Sequence, residues 1–237
     1  NLLGESQVPM IRYIFNTIFV TAVATGLHLL IASLAAFTLE KRKFPGRQLL
    51  FRMVVLALMF STAITSIPNY IIMERLGWID TYWSLIVPAI ASPIGLFLMK
   101  QFMSTVPDSL LEAARIDGAS HLRILFSIVI PLAKTGIATI AMFYAVARWN
   151  ESFKAGLYLL SPDKTTLQVL IRKFVVQGDI TDLIGFSNMM NKTELANVNY
   201  NSLKSAAIVV GVAPILLIYP FALKFYAKDV MEGGVKE

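Results

Sequence analysis

Few residues in this 237-residue chain could carry out covalent chemistry. It has no Cys, only two His (His28 and His121), and no Gly-rich loop followed by Lys and Ser or Thr that would cradle a phosphate. A disulfide framework and a thiolate metal site are excluded, and two His alone make a poor metal site. Binding chemistry remains. Arg148, Glu151 and Lys154 recur every three residues, so on a helix they share a side and Glu151 can pair with either cation. Trp149 and Asn150 add an aromatic face and an amide. With the Glu151 carboxylate they can stack on and hydrogen-bond a sugar at the mouth of a path, although a boundary cluster of Trp and Arg anchors has the same composition. Thr62, Ser66 and Asn69 recur at helical spacing around Pro68. They either line a polar path or bond backbone and neighbouring helices. For His28, within an apolar run, a neutral ring bonded to a neighbouring helix is the simpler reading than a proton relay.

The elements that must position these groups are set by composition. Hydrophobic residues make up 56% and charged residues 15% of the chain, against about 25% charged in soluble domains, and the mean hydropathy is +0.65. A soluble enzyme and a disordered chain are both excluded. Charge-free runs at about 13–39, 53–73, 81–99 and 205–223 each meet the roughly 17 to 25 residues of a membrane-spanning helix. A fifth, about 131–150, places Lys134 and Arg148 near opposite faces, where both can snorkel to water. The fold class is therefore all-α, a polytopic transmembrane helical bundle in a single domain, 1–237. A chain with five spans and its N-terminus outside is expected to have a sixth span upstream.

The net charge of +6 could serve nucleic acid, but the cations fall between the apolar runs, so no nucleic-acid partner is expected. Lys41, Arg42, Lys43, Arg47 and Arg52 crowd one short loop, which such charge keeps in the cytoplasm. The loop Glu74 to Asp80, with Trp78, Tyr82 and Trp83 beside it, is then external. The segment 100–130 is internal, 151–204 external, and the tail from Lys224 internal, which puts a multi-pass protein in the cytoplasmic membrane with its C-terminus in the cytoplasm.

About 30 residues between two spans exceed a plain connector, which takes 2 to 8. Here Pro107-Asp-Ser-Leu-Leu-Glu-Ala-Ala-Arg-Ile-Asp-Gly118 predicts a short surface helix. Ser109 and Glu112 have capping-box spacing, Ala113 and Ala114 favour helix, and Gly118 can close it in the left-handed conformation. Leu110, Leu111 and Ile116 offer apolar contacts either to a partner's groove or to the membrane surface. Glu112-Ala113-Ala114, three residues, Gly118, nine residues and Ile128-Val129-Ile130-Pro131 resemble the EAA signature of permease subunits in binding-protein-dependent ABC importers. Ile130 stands where that pattern has Leu. Phe44-Pro45-Gly46-Arg47, Trp149-Asn150-Glu151 and the ending Gly233-Gly234-Val235-Lys236 extend the likeness to the carbohydrate class, similar to the maltose permease subunits.

That resemblance implies a type I importer permease fold that forms half of a translocation path for a sugar or oligosaccharide. Ser109, Leu110, Glu112, Ala113, Ala114, Asp117 and Gly118 would couple to a cytoplasmic ATPase. Gly233, Gly234 and Lys236 would make a tail contact, and Thr62, Ser66, Asn69, Trp149, Asn150 and Glu151 would form path or gate. Its implied partners are a second homologous permease in a heterodimer, two ATPase subunits, an extracytoplasmic solute-binding protein, the solute and the lipid bilayer. The chain itself would be no enzyme and bind no cofactor, ATP and Mg being used by the partner subunits. The alternatives are a secondary transporter driven by an ion gradient, with His28, Arg148 and Glu151 as relay, and an ABC permease for a non-sugar solute.

Overall fold

The computed structural model describes residues 10–177, 205, 208–216 and 219, the side chains of Thr62, Ala63 and Phe174 excepted. All regular structure among them is helical. The longest helix, α1 (Met10–Lys41), is unbroken over 32 residues because its interior holds no Pro and no charge between Tyr13 and Leu39. It is the one described helix long and apolar enough to cross a membrane alone. Its buried stripe carries Ala24, Ala32 and Ala36, small residues that let other helices approach closely.

The expected span 53–73 is not one helix. The chain forms α2 (Arg47–Ala57) and α3 (Thr62–Arg75) with a break between them. Leu58, Met59 and Phe60 donate to carbonyls only three residues back, so α2 tightens and stops. Ser61 then accepts the Thr65 N–H as a new helix begins. Ser and Thr compete with helical backbone and favour helix starts. None of the α2 residues is buried.

The span expected at 81–99 is also interrupted, into α4 (Trp83–Ile90) and α5 (Pro93–Ser104), bent by 41°. Pro93 has no N–H for the Ala89 carbonyl, and Ser92 caps the new helix by accepting the Gly95 N–H at 3.5 Å. The segment expected to couple to a partner follows: α6 (Asp108–Ile116), then α7 (His121–Leu132), which widens to a π turn over Leu125–Val129 just before Pro131. The span expected at 131–150 starts later than that. Pro131 belongs to α7, the chain turns by 81° at Ala133, and α8 runs Lys134–Trp149. Short helices α9 (Phe153–Tyr158) and α10 (Leu167–Arg172) lie in the segment expected to be external. Residues 208–216 belong to the run expected at 205–223, and the remainder of that run lies largely outside the described residues.

Helix α1 packs on α4, α5, α8 and α10. One buried cluster joins Phe37, Met99, Met103, Leu111, Ile124 and Leu125 under α6 and α7. Another joins Val20, Ala24, Ile86, Ala89 and Tyr158 toward the opposite end. Gly136 lets α8 sit against Phe102 of α5, whose ring a Cβ at that position would overlap.

Candidate functional site

Helix α6 begins two residues before the capping box requires. Pro107 is extended at the N-cap (φ −63°, ψ 135°) and gives no side-chain cap, so Ser109 falls inside the first turn and the Ser109–Glu112 box does not form. Asp108 occupies that first turn instead, where a carboxylate suits the helix dipole. The other end is as expected. Gly118 is left-handed at φ 78° with open space around a Cβ. The Gly118 N–H reaches Arg115 O at 3.0 Å and the Ala119 N–H reaches Ala114 O at 2.9 Å, the two bonds of a Schellman motif.

This helix has an outside and an inside. Ser109, Leu110, Glu112, Ala113, Asp117 and Gly118 are exposed and Ala114 is half-buried. Ile116 is 87% exposed, whereas Leu111, at 2%, is sunk in the core. Two cations hold the helix to α1. The Lys41 ammonium, on a side chain only 4% exposed, donates to Val106 O at 2.6 Å and to Asp108 Oδ1 at 2.8 Å. Arg115 donates to Lys41 O at 3.3 Å. The hydrogen bond from Lys41, with its charge, lowers the Asp108 pKa from the usual carboxylate value. One residue earlier, Glu40 pairs with Lys100 of α5 at 2.6 Å, and that ammonium also lies over the Phe51 ring. None of these long-range partners carries a sequence signal. Lys41 reads locally as one more loop cation.

The second candidate region is a cleft bounded by α1, α3, α4, the end of α8 and the residues that follow it. Asn69, Ser84, Arg148, Trp149, Glu151 and Lys154 are among its lining residues. Its enclosed volume is about 30 Å³, room for water but not for a sugar ring. Arg148 Nη1 meets Glu151 Oε2 at 3.6 Å. Glu151 Oε1 accepts the backbone N–H of Lys154 at 3.1 Å, so Lys154 engages it through the main chain. Thr21 Oγ1, Thr166 Oγ1 and Arg148 Nε are buried without hydrogen-bond partners among the described residues.

The structure therefore brings together Asn69, Trp149 and Glu151, but not the whole expected set. Trp149 is 6% exposed and packs with Tyr13, Leu167 and Leu170. Its indole N–H donates to Gly211 O at 3.1 Å, so it is a wall fixed to the backbone of residues 208–216 rather than an open platform. Asn150 is exposed and its amide donates to Val146 O at 3.0 Å, closing its own helix. Ser66 is half-buried on α3 outside the cleft lining. Thr62 opens α3, and its side chain lies outside the described residues, as do Gly233, Gly234 and Lys236. His28, fully buried, donates through Nδ1 to Ile90 O at 2.8 Å, the bond to a neighbouring helix expected from the sequence.

Sequence reading also missed a staple between Asp80 and residues 160–164. Asp80, with φ 58°, accepts the N–H groups of Leu160 and Ser161 at 3.0 and 2.9 Å. It also accepts the Ser161 hydroxyl and the Lys164 ammonium. Burial pushes its pKa up, but the bonds from Ser161, Lys164 and Leu160 outweigh burial and hold it well below the carboxylate range. Arg12 pairs with Asp163 at 3.2 Å, and Asn16 donates to Asp163 O and Thr165 O. A Cα left-handed at a non-Gly residue was the one hidden signal, and it is visible only in three dimensions.

Apolar helices, several of them interrupted, packed on one helix long enough to cross a membrane, with an exposed helix keyed to its end, are the architecture of a helical membrane protein. The comparisons with known proteins make the class specific. Residues 28–232 match the family described as binding-protein-dependent transport system inner membrane component, and the chain belongs to that family. It is 38% identical to the polygalacturonan/rhamnogalacturonan transport system permease protein YtcP of Bacillus subtilis (strain 168), over 95% of this chain and 80% of that one. It is 29% identical to the sn-glycerol-3-phosphate transport system permease protein UgpE of Shigella flexneri serotype 5b (strain 8401), covering 92% and 72%. Among solved structures, a chain of a bacterial ABC transporter involved in the import of the acidic polysaccharide alginate superposes with a TM-score of 0.82. It is 27% identical, over 94% of this chain and 77% of that one. The all-α, type I ABC importer permease fold expected from the sequence is the fold found.

Proposed function

We propose that this chain forms half of an oligosaccharide path through the cytoplasmic membrane, paired with a second homologous permease. Two ATPase subunits dock on the α6 of each permease and use ATP and Mg. A solute-binding protein delivers cargo to the external segment. The observation that carries this reading is α6 itself. It exposes Glu112, Ala113 and Ile116 while Leu111, Lys41 and Arg115 lock it to the bundle, so a push on that helix displaces the bundle with it.

Acidic oligosaccharides are the favoured cargo. The relative named for polygalacturonan and rhamnogalacturonan and the alginate transporter both support this reading. Within the cleft, Arg148 and Lys154 are cations that a uronate could meet. The cleft of a single subunit is too small for a sugar, which fits a path completed by two subunits. The test is ATP hydrolysis by the co-purified complex in lipid, with binding protein loaded by oligogalacturonide or by a neutral oligosaccharide. Stronger stimulation by the acidic load is expected. Equal or greater stimulation by the neutral one overturns the acidic assignment, and failure of an ATPase to co-purify overturns the coupling role. A Cys placed at Arg42 or at Ser187 of this Cys-free chain should react with impermeant thiol reagents from the cytoplasmic and outer sides respectively. Labelling of both from one side reverses the orientation.

A further inference from the structure

The break between α4 and α5 leaves two carbonyls in the middle of the bundle without helical partners. Ala89 O loses its donor because residue 93 is Pro, and Ile90 O loses its donor because Ala91 leaves helical geometry (φ −97°, ψ 67°). In a membrane such groups must be satisfied from within the protein. Two other helices supply the donors. The Tyr144 hydroxyl of α8 donates to Ala89 O, and His28 of α1 donates to Ile90 O. The two rings stack with centroids 4.0 Å apart and planes 12° apart. Gly95, the third residue of α5, leaves the space that the His28 ring fills, since a Cβ there would overlap the ring.

This arrangement is connected at both ends. Ala89 is itself a wall of the cleft, and Arg148 places its guanidinium 5.4 Å from the Tyr144 ring centroid while pairing with Glu151. On the other side α5 runs into the coupling helix after only Thr105, Val106 and Pro107. The bend is thus the joint between a half-helix that faces the cleft and a half-helix that carries α6.

We propose that His28 and Tyr144 are positioning residues for transport: together they latch the α4–α5 joint at its bend and thereby link occupancy of the cleft to the stance of the coupling helix. The proposal rests on the transport reading, so its test has one readout that does not. Tyr144→Phe keeps the stacked ring and removes the donor to Ala89. Gly95→Ala acts from the opposite helix by displacing the His28 ring. Both are prepared as the complex with the ATPase in lipid, with spin labels on Cys at Trp83 and Gln101, exposed positions on the two half-helices.

Loss of one buried hydrogen bond shifts a two-state balance by roughly five- to thirtyfold. In assembled complexes the label distance distribution should broaden or shift, and the ratio of solute-stimulated to basal ATP hydrolysis should fall at least fivefold. A ratio within twofold of the unsubstituted chain in both variants overturns the proposal. If the unsubstituted complex shows no stimulation, the transport reading fails. The latch is then judged on distance alone, where an unchanged distribution in both variants overturns it. Failure of Tyr144→Phe to assemble also overturns it, because the hydroxyl then decides folding rather than the bend.

Discussion

Replacing Lys41 by Met should loosen the start of the coupling helix far more than removing the charge of its ion-pair partner. The Lys41 side chain is 4% exposed and its ammonium serves two acceptors that differ in surroundings. Val106, whose carbonyl it holds at 2.6 Å, is 3% exposed, and a buried acceptor left without a donor costs about 1 to 3 kcal/mol. The Asp108 side chain is 76% exposed, so that ion pair adds only about 0 to 1 kcal/mol after solvent screening. Lys41→Met should therefore destabilise the α6 attachment by about 2 to 3 kcal/mol, and Asp108→Asn by less than about 1 kcal/mol. Hydrogen exchange of the α6 amides in lipid discs reads this directly, because local opening scales with that free energy. Protection should fall by roughly 30- to 150-fold in Lys41→Met and by less than about fivefold in Asp108→Asn. Equal loss in the two variants would mean that the buried carbonyl is not the main partner, and the reasoning would fail.

Gly136→Ala should push α8 away from Phe102, costing about 1 to 3 kcal/mol as an overpacked contact, and Phe102→Ala in the same chain should restore part of the melting temperature. No recovery in the double variant would place the strain elsewhere. At Gly118 the left-handed backbone, not space, demands Gly, so Gly118→Asn should retain ATPase co-purification while Gly118→Val weakens it. Equal behaviour refutes the conformational explanation. Asp80 has a lowered pKa, so its contribution is complete above the ordinary carboxylate value, near 4, and is lost only as pH falls below it. The melting difference between the unsubstituted chain and Asp80→Asn should be constant from about pH 8 to 5 and shrink in more acidic buffer. A difference that grows on acidification would contradict the sign.

Periodic and compositional signals made the helical class and the short helix α6 legible, because apolar run length and the Gly118 stop act locally. The breaks were not legible by counting charge. Ser61 and Pro93 interrupt helices without adding charge to runs 53–73 and 81–99, so hydropathy passes over them. The cleft was half legible. Arg148, Glu151 and Lys154 announce themselves by spacing, but the same spacing does not say that Trp149 turns inward to Gly211 or that Asn150 folds back on Val146. Contacts such as Lys41 with Asp108 and Asp80 with Ser161 join residues far apart in the chain, and only the assembled fold pairs them.

The uninterrupted length of α1 has a consequence for biogenesis. At 32 residues it is about 48 Å long and enters a bilayer on its own apolarity. Helices α4 and α5, with 8 and 12 residues, are each shorter than a span and meet at carbonyls that lipid cannot satisfy. Because α1 precedes them in the chain, His28 is already in place to receive the Ile90 carbonyl as the α4–α5 pair leaves the insertion machinery. The interrupted pair is then a guest that α1 admits, and a lesion in α1 would surface first as a defect in retaining α4 and α5 in the membrane.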